Sequence, residues 1–265
     1  MQGLVFLKLG GSLITNKDIA HTALVPQIDM LLEQLKDYIV SDLANCVLLG
    51  HGSGSFGHHA AKKYGTRDGV TTPDDWLGFS EVWREARALD QIILDRANLL
   101  GMKAVCFPFS SSAMTDNHQI VDWDVTSLQT ALDHGLLPVI YGDVSFDKRI
   151  GGTIVSTEEQ FEYLAPKLKP QRILLAGIEP GIWSDFPACT ELAPSIKIGD
   201  LKGFNESITG SASIDVTGGM ASKVQEMFNI ISKDQTITAQ VFSGKEPGSL
   251  LRALHGEAVG TMLAA

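Results

Sequence analysis

Three stretches of the sequence place lysine or histidine beside glycine, a pattern that is typical of sites that bind phosphate groups. They are residues 8–17 (K-L-G-G-S-L-I-T-N-K), 50–58 (G-H-G-S-G-S-F-G-H) and 215–223 (D-V-T-G-G-M-A-S-K). Glycines lack the Cβ atom that keeps an anion away from backbone N–H groups, and helix N-termini favour negative charge. Lysines next to such loops neutralise phosphate oxygens, so the pattern is typical of phosphoryl transfer.

The second stretch is ambiguous when it is taken alone. Gly52, Gly54 and Gly57 follow the apolar run 47–49 and fit the dinucleotide fingerprint G-x-G-x-x-G. That fingerprint also needs an acidic residue at the end of a second strand, about 20 residues on. Acidic residues occur near that distance in 68–75, but no strand-like run precedes them. The loop alone leaves NAD(P), another phosphate ligand or a turn without a ligand.

The chemistry of a phosphate acceptor fits this pattern without a general base. A phosphate monoester has a second pKa of about 6, so it is mostly a dianion at neutral pH and already nucleophilic. The P-loop motif G-x-x-x-x-G-K-[ST] is absent, since Gly244-Lys245 is followed by Glu246, and the protein-kinase signatures H-R-D and D-F-G are missing as well. A kinase with this sequence belongs to neither of those classes.

Length and composition are those of an ordinary globular protein. The chain has 265 residues, enough for one large α/β domain or two small ones, and a formal net charge of −10, which argues against a nucleic acid or a membrane as its main partner. Cys46, Cys106 and Cys189 have no C-x-x-C spacing, which indicates reduced thiols. With no signal peptide or long apolar span in the sequence, we expect a cytoplasmic protein.

The elements that must position these residues alternate between strand and helix. Apolar runs and helical spacing predict strands at 4–9, 47–49, 103–107, 136–141, 172–176, 237–242 and 258–263, and helices at 23–40, 56–64, 73–100, 121–134, 157–168, 219–231 and 250–254. Ser55 is expected to cap the helix 56–64. Ligands of open α/β sheets bind outside the carboxyl ends of the strands, so the first two glycine loops are expected to face one pocket.

Two further features have both a structural and a functional interpretation. Asp143 follows a buried strand, where a carboxylate is costly unless it serves a ligand or pairs with a lysine. Trp76, Phe79 and Trp83 lie on one stripe of the helix 73–100. The stripe packs in the core or a dimer interface, or it lines an apolar substrate pocket. The loop 177–183 (G-I-E-P-G-I-W) is suited to clasping a flat ring.

In collinear order, these motifs resemble the amino acid kinase superfamily over essentially the whole chain. The start K-L-G-G-S-L-I-T, the loop G-S-F-G-H and the segment Y-G-D-V at 141–144 carry the likeness, and within the superfamily they are similar to the isopentenyl phosphate kinases. The resemblance implies a single α/β domain, 1–265, built as a three-layer αβα sandwich around a mostly parallel sheet. An amino-terminal lobe (about 1–170) would bind the acceptor, and a carboxyl-terminal lobe (about 171–265) would bind ATP. The resemblance also implies a homodimer that uses Mg²⁺.

The resemblance also implies roles for single residues. Lys8 and Lys17 would contact the transferring phosphoryl group, His58 the acceptor phosphate, and Asp143 would orient the lysines. The other residues expected around the acceptor are Gly52, Gly54, Ser55, Gly57, Gly152, Trp76, Phe79 and Trp83. Those expected around the nucleotide are Lys8, Gly10, Gly11, Ser12, Ser53, Gly177, Gly219 and Lys223. No protein side chain is predicted to be a metal ligand.

Two segments depart from the superfamily pattern, and other functions remain open. Residues 176–183 replace the usual T-D-V-D-G-V-Y beside the nucleotide, and 156–159 (S-T-E-E) replace S-G-D-D. Fosfomycin kinase has a very similar G-x-F-G-H loop and is the nearest alternative. An NAD(P)-dependent oxidoreductase would explain only the loop at Gly52, and a nucleotide-binding regulatory protein would not need His58.

Overall fold

The computed structural model describes residues 3–185, 188–200 and 219–265. In chain order the elements are β1 (Leu4–Leu9), α1 (Gly11–Ile14), α2 (Val25–Ser41), β2 (Cys46–His51), α3 (Gly54–Tyr64), α4 (Pro73–Leu99), β3 (Ala104–Cys106), β4 (Ala113–Asp116), β5 (Gln119–Trp123), α5 (Thr126–Asp133), β6 (Leu137–Tyr141), β7 (Asp143–Asp147), β8 (Gly151–Val155), α6 (Thr157–Leu168), β9 (Arg172–Gly177), β10 (Ser195–Lys197), α7 (Gly219–Lys233), β11 (Thr238–Ser243), α8 (Ser249–Leu254) and β12 (Thr261–Ala264).

Eight strands form the central sheet, in the order β10-β12-β11-β9-β1-β2-β6-β3. Every neighbouring pair is parallel except β11 and β12. The central strand β1 pairs with β2 on one side and with β9 on the other, so the segments that follow these three strands meet at one edge of the sheet. The predicted mostly parallel α/β sheet is confirmed.

Alternating side chains of β1 divide the core into two layers. Val5, Leu7 and Leu9 pack on the side of α2, α4 and α8. Leu4 and Phe6 pack on the other side, with α5, α6 and α7. Successive side chains of a strand point to opposite faces, so a strand covered on both sides is apolar throughout. Lys8 is the exception in this strand, and it shares a face with Leu4 and Phe6.

A smaller four-stranded sheet has the order β5-β4-β7-β8, and it corrects the start of the predicted helix 121–134. Residues 119–123 form β5 rather than the start of a helix, because Ile120, Val121 and Trp123 favour a strand that pairs with β4. Asp143 follows β6, as expected, and is the first residue of β7 in this second sheet. The β7–β8 hairpin turns at residues 148–150, and Gly151, with a φ of 76°, is the first residue of β8.

Local signals set the ends of the helices. Thr72 and Asp75 form a capping box at the start of α4, and Ser156 and Glu159 form one at α6. The predicted cap at Ser55 is wrong. Helix α3 begins at Gly54 after Ser53, and Ser55 lies inside the first turn with its backbone N–H donating to Thr15 Oγ1 at 2.9 Å. In the ranges that the structure describes, no helix has the length and apolar character to cross a bilayer.

The glycine loops after β1 and β2 touch each other backbone to backbone. A Cβ atom on Gly11 would lie 2.5 Å from the nitrogen of Gly54, and one on Gly52 would lie 2.9 Å from the nitrogen of Gly11. Gly54 adopts a φ of 50°, and Thr15 Oγ1 donates to Gly11 O at 2.7 Å. These glycines therefore allow the two loops to approach each other as well as a ligand.

We expect Gly11→Ala to lower the free energy of unfolding by about 1–3 kcal/mol, because a backbone atom of the other loop must move to admit the methyl group. Urea denaturation measures the change. Gly142→Ala is the matched control, since its Cβ would have no neighbour nearer than 3.7 Å. Equal stability of the two variants would show that the loops separate without cost.

Candidate active site

A cavity of about 490 Å³ lies at the carboxyl ends of β1, β2 and β9. All three glycine-containing stretches contribute to its walls, as do the segments after β6 and β9. Of the predicted site residues, the walls include Lys8, Gly10, Gly11, Ser12, Lys17, Gly52, Ser53, Gly57, His58, Gly177 and Lys223. The expectation that the first two loops face one pocket is confirmed, and α7 supplies the third stretch.

Some predicted site residues do not line this cavity. Gly54 and Ser55 are buried between the loops, and Gly152 packs against Phe79. Gly219 is the first residue of α7, whereas Met220 and Lys223 of that helix reach the cavity. The preceding part of its motif, residues 215–218, lies outside the described ranges. A role of these residues toward a ligand remains a prediction.

Lys8 is a buried cation, 7% exposed, whose partner is Glu158. The strand directs Lys8 toward the face covered by α6, and Glu158 lies in the first turn of that helix, itself only 2% exposed. Buried charges need such partners, since removing one leaves the other uncompensated. The local sequence signal for Glu158 is its place in S-T-E-E at 156–159, a helix start that replaces the usual S-G-D-D, and this signal does not identify it as the partner of Lys8.

Asp143 has a different environment from the one predicted. Its carboxylate accepts hydrogen bonds from the backbone N–H groups of Ser110, at 3.0 Å, and Val144, at 2.8 Å. Complete burial raises the pKa of Asp143 to about 6, although the bonds from Ser110 counteract this. The carboxylate that pairs with Lys8 is that of Glu158, and a role of Asp143 in orienting the lysines stays a prediction.

Lys17 and His58 reach the cavity from different elements. Lys17 is exposed on a turn that follows the bridge between Thr15 and Ala23. His58 is half-buried in the second turn of α3. Both therefore present a nitrogen-bearing side chain to the space between the glycine loops and the second sheet. This arrangement suits binding of phosphate oxygens.

One end of the cavity is apolar, with Ala61, Val82 and Ile154 in its walls beside Arg67. Arg67 is held by a fork of bonds to Glu159, at 2.9 and 2.6 Å, and it also donates to Ile154 O. An apolar end next to cationic groups suits a ligand with a charged head and a short hydrocarbon tail.

The predicted aromatic stripe lies mostly behind this wall. Phe79 is buried against Trp76 and Phe146, with ring centroids 5.3 and 5.1 Å apart, and Trp83 is 38% exposed beside Arg87. Val82 is the member of this helix face that lines the cavity. The structure thus supports packing for the aromatic residues, and their contact with a ligand stays a prediction.

The opposite end of the cavity is formed by the atypical loop after β9. The cavity walls there include Ile178, Glu179, Ile182, Trp183 and Cys189. Trp183 Nε1 donates to Glu179 Oε2 at 3.4 Å, which ties the ring to the loop. A flat ring in a cavity wall can stack on a planar ligand.

Dinucleotide binding by the Gly52 loop would need a second strand soon after β2, and residues 52–103 form none. After β2 the chain forms α3 and α4, and the next strand begins at Ala104. Asp68 lies in a short 3₁₀ turn, and Asp74 and Asp75 lie in the first turn of α4. No carboxylate at a strand end is therefore available at the required distance to hold a ribose.

An acidic cluster adjoins Lys8 where α7 packs on α6. Asn229 and Lys233 of α7 donate to Glu162 at 3.3 and 2.8 Å. One turn earlier on the same face, Glu226 lies near Glu158 and Glu159. Burial first, and then the charges of these two carboxylates, raise the pKa of Glu226 to about 9 even though Lys8 lowers it. Burial and the neighbouring negative charges therefore favour the protonated form of Glu226.

The described residues do not fit a protein-built metal site. Within residues 3–185, 188–200 and 219–265, no group of three or more His, Cys, Asp or Glu side chains could hold a metal ion. Mg²⁺ commonly keeps several waters and binds through substrate phosphates with one or two carboxylates. The described side chains alone therefore offer no cage for it.

Comparison with known proteins gives one consistent family. Residues 3–243 match the model of the amino acid kinase family. The chain is 29% identical to the isopentenyl phosphate kinase of Methanothermobacter thermautotrophicus and 31% identical to that of Methanocaldococcus jannaschii, in each case over 97% of both chains. It is also similar to a crystallographic isopentenyl phosphate kinase structure, with a TM-score of 0.83, 25% identity and coverage of 98% of this chain and 100% of that one.

We expect the stability of the protein to fall as the pH rises from about 5 to about 8, and Glu226→Gln to remove part of that fall. The pKa of Glu226 is higher in the folded state than in the unfolded chain, so the folded state binds an extra proton that it loses with rising pH. A glutamine cannot ionise. Urea denaturation at several pH values measures the difference, which should grow toward high pH.

Glu33→Gln is the control for this experiment, because Glu33 is exposed on α2. Parallel stability curves for the wild type and Glu226→Gln would contradict the assignment of a protonated Glu226.

Proposed function

The chain belongs to the amino acid kinase family and is similar along its length to isopentenyl phosphate kinases, and we propose that it transfers the γ-phosphoryl group of ATP to isopentenyl phosphate. The products are isopentenyl diphosphate and ADP. An oxygen of the acceptor phosphate forms the new bond to the γ-phosphorus, and the bond from that phosphorus to the leaving ADP oxygen breaks. The acceptor is a dianion, so no proton has to be removed from it.

The observation that carries this proposal is a single cavity whose walls combine lysine and histidine side chains with apolar ones. The walls include Lys8, Lys17, His58 and Lys223 as well as Ala61, Val82 and Ile154. A phosphate ester with a short hydrocarbon chain matches both parts at once. Phosphoryl transfer needs mainly the alignment and neutralisation of phosphates, which these groups supply.

The two lysines near the transferred group have different surroundings. Lys8 is buried and paired with Glu158, which holds its ammonium group at one position in the cavity. Lys17 is exposed on its turn and approaches from the solvent side. We assign Lys17 to the charge that develops in the transition state and Lys8 to the bound phosphates. Glu158 positions Lys8.

His58 is assigned to the acceptor phosphate. It lies in the same walls as Ala61, one turn further along α3, which lines the apolar end. A hydrogen-bond donor at this place holds the phosphate while the tail extends toward Val82. Backbone groups of Gly52 and Gly57 adjoin it.

ATP is assigned to the other end of the cavity. In this proposal its phosphates adjoin Gly10, Gly11, Ser12 and Ser53, together with Lys223 from α7 and Gly177 at the end of β9. The loop at Trp183 would face the base. In this proposal the chain has an acceptor lobe (about 1–170) and a nucleotide lobe (about 171–265). It forms a homodimer in the cytoplasm and uses Mg²⁺ that is held largely by the phosphates.

A phosphonate such as fosfomycin is the alternative acceptor within the same fold. The apolar walls formed by Val82 and Ile154 favour a hydrocarbon tail over a small hydrophilic phosphonate. Measuring ADP release with isopentenyl phosphate, dimethylallyl phosphate, fosfomycin and N-acetylglutamate tests the choice. A preference for fosfomycin or N-acetylglutamate would refute the proposed acceptor.

We expect His58→Ala to fold normally and to lower kcat/KM for isopentenyl phosphate by about 10–100-fold, the effect of losing a hydrogen bond to the charged acceptor phosphate. A coupled assay of ADP release measures it. His59→Ala is the matched control, because His59 is the next residue of α3 but is exposed and outside the cavity walls. Activity of both variants within a few-fold of the wild type would exclude His58 from the acceptor site.

We expect Val82→Ala to raise kcat/KM for geranyl phosphate relative to isopentenyl phosphate. The change opens the apolar end of the cavity, and each added methylene buried there contributes about 0.8 kcal/mol. Steady-state kinetics with both substrates measure the ratio. Trp83→Ala, one residue further along α4 and outside the walls, is the control. A shift in that variant alone would identify the aromatic stripe as the wall instead.

A further inference from the structure

His51, the last residue of β2, lies buried behind the glycine loop and has no part in the site described above. Its Nδ1 is 3.1 Å from the carbonyl oxygen of Gly52, and its Nε2 is 3.2 Å from Oδ1 of Asp90 on α4. The ring stacks on Tyr141 with centroids 5.5 Å apart. His51 is 0% and Asp90 2% exposed, so water does not compete for either bond.

The two partners of the ring decide where its protons are. The Gly52 carbonyl can only accept a hydrogen bond, so Nδ1 must carry a proton. The bond to Asp90 then needs a second proton, on Nε2 if the carboxylate is ionised or on the carboxyl group if it is not. In both forms Nδ1 donates to Gly52, and His51 and Asp90 together hold two protons. The other tautomer, with a bare Nδ1, would place two lone pairs 3.1 Å apart.

The bond from His51 orients the peptide unit between Gly52 and Ser53. In a trans peptide the C=O and N–H point in opposite directions, so a carbonyl turned toward the buried ring turns the Ser53 N–H away from it. Gly52 and Ser53 both line the cavity, and His51 does not. The Ser53 N–H makes no hydrogen bond to any atom in the described ranges. The Gly52 N–H is held separately, by Leu9 O at 3.0 Å.

The side chains of Cys106 and Tyr141 near Asp90 do not add a charge beside the hydrogen bonds of His51. Burial, followed by the charge of Asp90, raises the pKa of the Cys106 thiol, and burial followed by Asp143 raises the pKa of the Tyr141 phenol. Both groups therefore stay neutral. The charged neighbours of this region are Asp143 and Arg87.

We propose that His51 is a positioning residue, which donates from Nδ1 to the Gly52 carbonyl and so aims the Ser53 N–H at a phosphate oxygen in the cavity. Asp90 bonds to Nε2 and so fixes the orientation of the ring. The inference rests on the proposed function for the identity of the ligand, an ATP phosphate, and extends it to a residue that does not touch the ligand.

The proton on Nδ1 can be observed directly in the free wild-type enzyme. Long-range ¹H–¹⁵N correlation spectra report the protonation of each ring nitrogen, and the signal that is missing in His51→Asn identifies His51. We expect a protonated Nδ1 at neutral pH. A tautomer with its only proton on Nε2 would overturn the proposal, and this result does not depend on any substrate.

Two substitutions separate positioning from packing. Asparagine places its amide nitrogen near the position of Nδ1 and can still donate to Gly52, whereas glutamine places it near Nε2 and can still donate to Asp90. We expect His51→Gln to bind the ATP analogue AMPPNP with Mg²⁺ at least about tenfold more weakly than the wild type, and His51→Asn to recover most of that loss. Calorimetry measures the affinities, and thermal unfolding confirms that both variants fold.

The opposite order, with His51→Gln closer to the wild type, would overturn the proposal, because it would make the bond to Asp90 the important one. Equal affinity of both variants and the wild type would overturn it too. If neither variant folds, the protonation of Nδ1 in the wild type decides. A wild-type enzyme that does not bind AMPPNP at all would refute the proposed function, whereas the spectra would still test the orientation of the loop.

Discussion

The contact between the two glycine loops is the constraint on which the rest of the site depends. Gly11 and Gly54 meet at distances that exclude any side chain, and Thr15 joins the loops through hydrogen bonds to Gly11 and Ser55. Because β1 and β2 are parallel neighbours, their loops leave the sheet at the same edge. Lys8 at the end of β1, Lys17 after the first loop and His58 in the helix after the second loop then line a single cavity.

Burial of charge is the second organising factor. Lys8 points into the layer under α6, where an unpaired ammonium would be costly, and Glu158 compensates it. Arg67 and Glu159 form a second pair beside it. A third carboxyl group, Glu226, lies near both pairs, and burial together with the charges of Glu158 and Glu159 raises its pKa.

The cavity is chemically divided because different layers supply its two ends. The apolar end comes from α3, α4 and β8, through Ala61, Val82 and Ile154. The other end comes from the loop after β9 and from α7, through Trp183 and Met220. The glycine loops lie between them. A ligand pair that meets in the middle, one with a hydrocarbon tail and one with a flat ring, matches this division.

The parallel sheet, the glycine loops at its edge and most of the cavity's polar residues can be predicted from the sequence, because apolar runs, helical spacing and glycine positions are local signals. The carboxylate that meets Lys8 cannot be predicted in this way, since Glu158 and Asp143 follow different strands and only packing of α6 brings one of them close. The same is true of Val82, which faces the cavity while Trp83 does not, because adjacent residues of a helix point in different directions and packing of α4 decides which direction meets the cavity. The role of His51 depends on Asp90, 39 residues away, and no local pattern connects the two.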